Sequence, residues 1–361
     1  MQLLGNNYII KHKQSSYGAF MKKTISERKD DHLQINLEKN VSSVITSGLE
    51  NVHLEHQALP EINYSEINTE TFFFGKKLSV PFLISSMTGG SDKGQEINKK
   101  ISLIAQHRGL AMGVGSMRVA LKETNNFDSF QVRRYAPDIL LFSNLGAVQL
   151  NYGIGVDDCQ KAVDEIEADA LILHLNPLQE AVQPEGNKDF SGLIKKIERV
   201  CRQINVPVIV KEVGWGISEK TANMLISAGV AAIDVAGAGG TSWSEVERYR
   251  ATNRKQQEVA GAFKEWGINT VQSILNVKRA SSKIPIIASG GLKNGVDIAK
   301  CLALGASICG MAGRLIKSAS ISEKELDEVI ETIFDQLKIT MFVSGVSTIP
   351  KLQKCKIIQR V

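Results

Sequence analysis

The sequence predicts an α/β fold, a (β/α)8 TIM barrel with an N-terminal extension and a long insertion after the sixth strand. Three observations predict it. Eight short apolar runs rich in β-branched residues recur from residue 80 onward. Amphipathic stretches such as "EINKKISLIAQHRG", "GLIKKIERVCRQI" and "NGVDIAKCLALG" lie between them. Polar or small residues stand at the end of nearly every run, whereas an open doubly wound sheet gathers them at one switch point.

In chain order the runs are "VPFLISSM" (80–87), "GLAMGVG" (109–115), "DILLFSNLG" (138–146), "DALILHLN" (169–176), "VPVIVKEVG" (206–214), "VAAIDVAG" (230–237), "IPIIASGG" (284–291) and "ASICGMAG" (306–313). Near-continuous hydrophobicity over so few residues is how a strand covered on both faces reads. Several of the intervening stretches end in Gly, the usual residue just past a helix C-terminus. Strand and helix in strict alternation argue for a parallel sheet, and eight such units close a barrel. The open sheet is the alternative, but no G-x-G-x-x-G follows the first run. Residues 1–25 read as a poorly patterned extension, with Met21 offering an alternative start, and residues 26–350 as one domain. The stretch 238–267 is too long for a plain strand–helix loop and reads as an active-site lid or an inserted helix.

Composition narrows the function classes. The chain has 361 residues, 43% hydrophobic and 22% charged, an ordinary globular balance. No window approaches the roughly 18–20 apolar residues of a membrane span. The N-terminus lacks the apolar core and cleavage site of a secretory signal, so a cytoplasmic protein is expected. Five scattered cysteines without metal-ligand spacing read as reduced, mostly buried thiols. A formal net charge of +5 suits a small anionic substrate, and no basic stripe interleaved with aromatics points to nucleic acid.

The strand ends carry the chemistry. "ASGGLKNG" after the seventh run and "CGMAG" after the eighth offer backbone amides at helix starts, where such barrels hold a phosphate. The plainer reading is tight turns that need Gly. FMN is the phosphorylated cofactor most compatible with the rest. Lys211 is placed to face the flavin N1–C2 carbonyl edge, or else is a core lysine paired with Glu212. Thr88 and Asn144 suit an isoalloxazine edge. "ERKDDH" (27–32) is either a solvated helix start or a diphosphate clamp built from Arg28, Lys29 and His32. In "LHLNPLQE", Pro177 turns the chain so that the loop folds back over the barrel mouth. His174 is then a site group or a satisfied core histidine, and Glu180 a Mg2+ ligand or a solvated carboxylate.

"ERKDDH", "SSMTGG", "GVGSMR", "SNLGA", "LHLNPLQE", "KEVGWGIS", "DVAGAGGTSW", "ASGGLKNG" and "GMAG" occur in this order over residues 27–313. With them the chain resembles the type 2 isopentenyl diphosphate isomerases, FMN-dependent TIM-barrel enzymes. The resemblance implies FMN held at Ser86, Met87, Thr88, Ser116, Asn144, Lys211 and Thr241, with its phosphate at Gly290, Gly291, Lys293, Ala312 and Gly313. It implies a substrate diphosphate at Arg28, Lys29, Ser116, Met117, Arg118, His174 and Asn176, Mg2+ on Glu180, and Gln179 beside the reacting carbons. Gln179, His174 and Lys211 would be the catalytic set. Two positions depart from the family pattern: Met117 stands where Gln is usual, and Lys293 where Arg is usual, which keeps the charge and loses the fork. The resemblance further implies FMN reduced by NADPH and used as an acid–base group with no net redox change, and a homo-oligomer of four or eight chains. Two rivals are weaker. An FMN oxidoreductase for a 2-hydroxy acid would want an Arg pair and a His base, and one of the inosinate type a strand-end Cys, yet the nearest, Cys309, falls inside the eighth run. A non-enzymatic phosphoester-binding barrel would not need Gln179 and Glu180 together.

Overall fold

The computed structural model of the protein describes residues 25–124 and 126–359. The N-terminal extension therefore lies outside the described residues up to Ile25, which opens helix α1 (Ile25–Glu38). "ERKDDH" sits in this helix, not in a loop. Among the described side chains of α1 only Leu33 is fully buried, with Leu37 packed at the core's edge, and polar side chains make its other ties to the body.

Each of the eight expected runs contributes one strand: β1 (Phe82–Ile84), β2 (Ala111–Gly113), β3 (Leu140–Gly146), β4 (Ala170–Leu175), β5 (Val208–Glu212), β6 (Ala232–Asp234), β7 (Ile286–Ser289) and β8 (Ile308–Met311). They close into a parallel barrel in chain order, β8 pairing with β1. The strands are shorter than the runs, three residues in β1 and seven in β3. Pairing stops where the C-terminal ends turn outward to build loops.

Inward-facing residues recur every second position along a strand. Leu83, Phe142, Ile172, Ile209, Ile287 and Ile308 belong to one apolar cluster that fills the lower barrel. Burying Phe142 fully stabilises the fold by about 1.5–3 kcal/mol. A hairpin, Thr71–Phe73 paired antiparallel with Lys76–Leu78, plugs the N-terminal end. Its Phe73 meets Phe142 edge-on at 6.5 Å, which accounts for the run "TFFFG". The other strand faces lie under helices α2 (Asp92–Arg108), α3 (Val156–Asp164), α5 (Leu193–Gln203), α6 (Glu219–Ser227), α9 (Thr270–Ala280), α10 (Gly295–Leu304) and α12 (Glu323–Val343). Their ends carry the expected chemistry: Ser91 caps α2 through the Gly94 amide, and Gly109 closes it with φ 64°.

Three features differ from expectation. Pro177 does not turn a loop back over the mouth; it starts helix α4 (Pro177–Val182), at the position where a missing N–H costs nothing. Of the two readings of 238–267, inserted helix holds: α7 (Trp243–Arg250) and α8 (Arg254–Gly261). They form a fixed roof, because the segment before Gly48 is hydrogen-bonded alongside, Ser43 N to Gly240 O at 2.7 Å and Ser242 N to Val41 O at 2.8 Å. The boundary at 350 falls inside α13 (Ile349–Leu352), and Ile357–Gln359 beyond it pairs antiparallel with Val52–Leu54. No helix among the described residues is long and apolar enough to cross a membrane.

Candidate active site

Two residues beyond each inward apolar position comes a residue that points the same way. That layer ends the core and floors a cavity. It contains Ser85, Asn144 and Ser289 as hydrogen-bonding groups, Gly113 and Gly310 where the Ser86 and Ser85 hydroxyls leave no room for a side chain, and His174, Lys211 and Asp234 as titratable groups. The register places His174 opposite Lys211 and Lys211 opposite Asp234 on adjacent strands. Above this floor opens a cavity of about 730 Å³, within the usual range for small-molecule sites.

The predicted residues divide into three groups. Ser86, Met87, Thr88, Ser116, Asn144, His174, Gln179, Lys211, Thr241, Gly290, Gly291, Lys293, Ala312, Gly313 and Lys29 line the cavity. Asn176 and Glu180 are buried just behind it. Arg28, Met117 and Arg118 do not line it. Met117 is fully buried in the apolar core, and its amide donates to Asn144 O at 2.9 Å. Its side chain therefore packs the wall and does not reach the cavity. Arg118 is close enough for its charge to act on His174.

The glycines serve two purposes. A Cβ on Gly290 (φ 105°) would lie 2.1 Å from Gly237 O, and one on Gly291 (φ 77°) 2.3 Å from Gly239 O. Both are demanded by the close approach of the β6 and β7 ends. The two helix starts behave differently. That of α10 is already satisfied, with Asn294 capping it through the Asp297 amide and Gln336 accepting from Gly295 N at 3.0 Å. Helix α11 (Gly313–Ile321) has no side-chain cap at Ala312, and a Cβ on Gly313 would meet only Thr241 Oγ1, at 3.7 Å. Its first amides face the cavity as an open anion site. Arg314 and Lys317, not foreseen from sequence, line the same end.

At the other end, Lys29 reaches from α1 to donate to Gly89 O and Ser116 O, both at 2.6 Å. It clasps α1 to the ends of β1 and β2. His174 shares its Nδ1 with Asn144 Oδ1 at 2.8 Å. Burial, and after it the charges of Lys211, Lys29 and Arg118, pull its pKa down to about 4, so the imidazole is neutral near pH 7. Asn176 Nδ2 donates to Gln179 Oε1 and Glu180 Oε1, each at 3.1 Å. Asn187 N donates to Glu180 Oε2 at 2.5 Å. Asn176 Oδ1 is buried beside this carboxylate with no partner.

Sequence reasoning missed two acids. Glu247, on the roof helix α7, is buried and accepts from Arg250 Nε at 2.8 Å and Gln179 Nε2 at 3.4 Å, and pairs with His32 Nε2 at 2.9 Å. It ties α1, α4 and α7 together under the roof. Within "SEVERYR" it looks like one more solvated charge, and no local signal marks it. Glu212 accepts three successive amides, from Val213, Gly214 and Trp215, on one oxygen. Burial raises it to about 7 against these bonds. Lys211 is not paired with the Glu212 carboxylate. Its Nζ donates to Glu212 O at 2.7 Å and faces Asp234 Oδ2 at 3.9 Å.

The chain is similar to several known proteins. A family profile described as FMN-dependent dehydrogenase matches residues 174–359. A lactate oxidase from Pediococcus acidilactici shares the fold at a TM-score of 0.64 and 18% identity, over 91% of this chain and 87% of that one. A mandelate oxidase mutant with benzaldehyde does so at 0.66 and 16%, over 93% and 98%. Two curated proteins named isopentenyl-diphosphate delta-isomerase, from Rickettsia africae and Rickettsia conorii, are each 54% identical over 92% of this chain and 97% of their own length. With that identity over most of its length, the chain belongs to the isopentenyl-diphosphate delta-isomerase family.

Proposed function

We propose that the chain is a type 2 isomerase, interconverting isopentenyl and dimethylallyl diphosphate on reduced FMN with Mg2+ and without net redox change. The observation that carries this reading is a single cavity with an uncapped helix start at Gly313 at one end and Lys29, His174 and Gln179 at the other. Two anionic groups can be held there, a cofactor phosphate and a substrate diphosphate.

The residues fit FMN. The Ser85 and Ser86 hydroxyls are buried at the cavity wall without a partner, as a removable ring edge would leave them. Ser86, Met87, Thr88, Ser116, Asn144, Lys211 and Thr241 would hold the ring, and Gly290, Gly291, Lys293, Ala312 and Gly313 the phosphate. Reduced FMN supplies an acid–base group and an electron-rich face suited to a tertiary cation.

The chain's own groups then have separable tasks. Lys29, Ser116 and His174 at the cavity bind the diphosphate, with Arg28, Arg118 and Asn176, outside its lining, as the further members of the set. As a neutral imidazole, His174 can donate a hydrogen bond to a phosphate oxygen. Gln179 orients the carbon skeleton, since an amide is no base near neutral pH; Asn176 and Glu247 fix its two ends. Lys211 keeps a positive charge on the floor. Glu180 and the unpartnered Asn176 Oδ1 fit Mg2+, which takes one or two protein oxygens and completes its shell with phosphate and water. NADPH as reductant and a tetramer or octamer are carried over from the family. A cytoplasmic setting agrees with the five free cysteines.

The test is the protein reduced once without oxygen. It should interconvert the two C5 diphosphates for many turnovers without consuming more reductant, with Glu180→Gln weakening the Mg2+ dependence while FMN stays bound. The dehydrogenase profile favours a second reading, an oxidoreductase for a small anion. Reductant consumed mole for mole with product would establish that reading instead.

A further inference from the structure

We propose that Asp234 is a positioning residue for Lys211, a buried counter-charge one step behind the cavity floor that keeps the ammonium charged and aimed. The task of Lys211 rests on the isomerase reading; the pairing itself does not. Asp234 ends β6 with no exposed surface, and the register sets it directly beside Lys211. Ser289, at the end of β7, donates to its Oδ1 at 2.5 Å, and Ala236 N does so at 3.3 Å. Those two bonds fix the carboxylate. Its Oδ2 is buried, has no hydrogen bond and faces Lys211 Nζ at 3.9 Å. Lys211 lines the cavity, while Asp234 does not.

The surrounding charges explain why a counter-ion is needed. His174 flanks Lys211 on β4 and is neutral near pH 7. Lys29 from α1 and Arg118 after β2 add positive charge to the same region. Glu212, next in sequence, spends its carboxylate on its own loop amides. From β8, Cys309 is near enough to feel Asp234 but carries no charge at neutral pH. Asp234 is thus the acid that faces Lys211 inside the barrel. Burial pushes its carboxyl up, and Lys211, followed by Ser289 and the Ala236 amide, pulls it back. The carboxyl stays raised overall, with the facing ammonium and the Ser289 hydroxyl opposing that shift.

The experiment compares holoenzyme and Asp234→Asn, which keeps shape and the Ser289 contact. The alkaline limb of the kcat–pH profile should move down by about one pH unit or more, with KM within about twofold, FMN content unchanged, and Asp234→Glu restoring the limb in part. A folded Asp234→Asn whose alkaline limb stays in place overturns the proposal. If Asp234→Asn does not fold, Lys211→Met/Asp234→Asn decides the matter by thermal midpoint. Removing both charges should give a protein at least as stable as Lys211→Met alone. A double variant as disabled as Asp234→Asn would mean that Asp234 serves the fold through Ser289, and the proposal falls. Should the wild type turn over no C5 diphosphate, the isomerase reading fails, while the midpoint comparison still decides the pair.

Discussion

Glu247→Gln removes one charge from the junction of α1, α4 and α7 and keeps its shape. Burial alone would raise the Glu247 carboxyl, yet the His32 hydrogen bond, the His32 charge and Arg250 bring it to about 2. The fall from 4.5 to about 2, at ~1.4 kcal/mol per pH unit, corresponds to about 3 kcal/mol favouring the folded, charged state. The side chain is only 2% exposed, so solvent screens little of this. Because α1 buries little else, the loss should concentrate there. Amide exchange of α1 is expected to quicken on the order of a hundredfold at pH 6.5. KM should rise and FMN content hold. The sign with pH is fixed: a depressed acid contributes in full above its unfolded pKa and nothing once pH falls through the folded value. The gap between wild type and variant should therefore be complete above about pH 5 and close between about 4.5 and 2. Unchanged α1 exchange and KM at pH 6.5 would refute the claim that Glu247 fastens the clasp helix.

Lys29→Ala removes two charge-assisted bonds of about 1.5–3 kcal/mol each, so KM should rise at least tenfold by steady-state assay with FMN retained, and Lys29→Arg should not restore it. His174 is a base with a depressed pKa; it should stay neutral by NMR above about pH 5, and the stability it contributes should be complete above about pH 6.5 and lost as pH falls toward 4, a slope that His174→Gln flattens in urea titrations. Gly290→Ala should abolish the folded protein or its flavin, because its Cβ meets a backbone oxygen. Gly313→Ala should fold with a normal circular dichroism spectrum.

The barrel was legible because strands covered on both faces cannot alternate, and eight such runs are hard to produce otherwise. Their ends were legible too: Asn144, His174, Lys211 and the β7 and β8 glycines all reach one cavity. What stayed hidden depends on contacts distant in sequence. Glu247 lies 215 positions from His32, and nothing in "SEVERYR" separates it from the other charged residues of the stretch. Met117 looked like a site residue because both its neighbours in "GSMR" bear on the site. A single position of register turns its side chain into the wall. Asp234 stood in a quoted motif, but its meaning depends on which strand lies next to β6.

The same period of two builds core and site. On each strand the residue two steps below the floor is apolar and the floor residue is polar or small: Ile172 below His174, Ile209 below Lys211, Ala232 below Asp234, Ile287 below Ser289. A lone ammonium in that layer, above a dry core, would be driven to give up its proton. The barrel answers with a carboxylate in the adjacent register position and a hydroxyl to hold that carboxylate. The like-charged clasp Lys29 is instead met by backbone carbonyls and the Phe130 ring, 5.0 Å away. Two lysines at one cavity are therefore stabilised differently. The floor lysine faces a buried carboxylate group on the next strand, and the clasp lysine donates to two backbone carbonyls beside an aromatic ring.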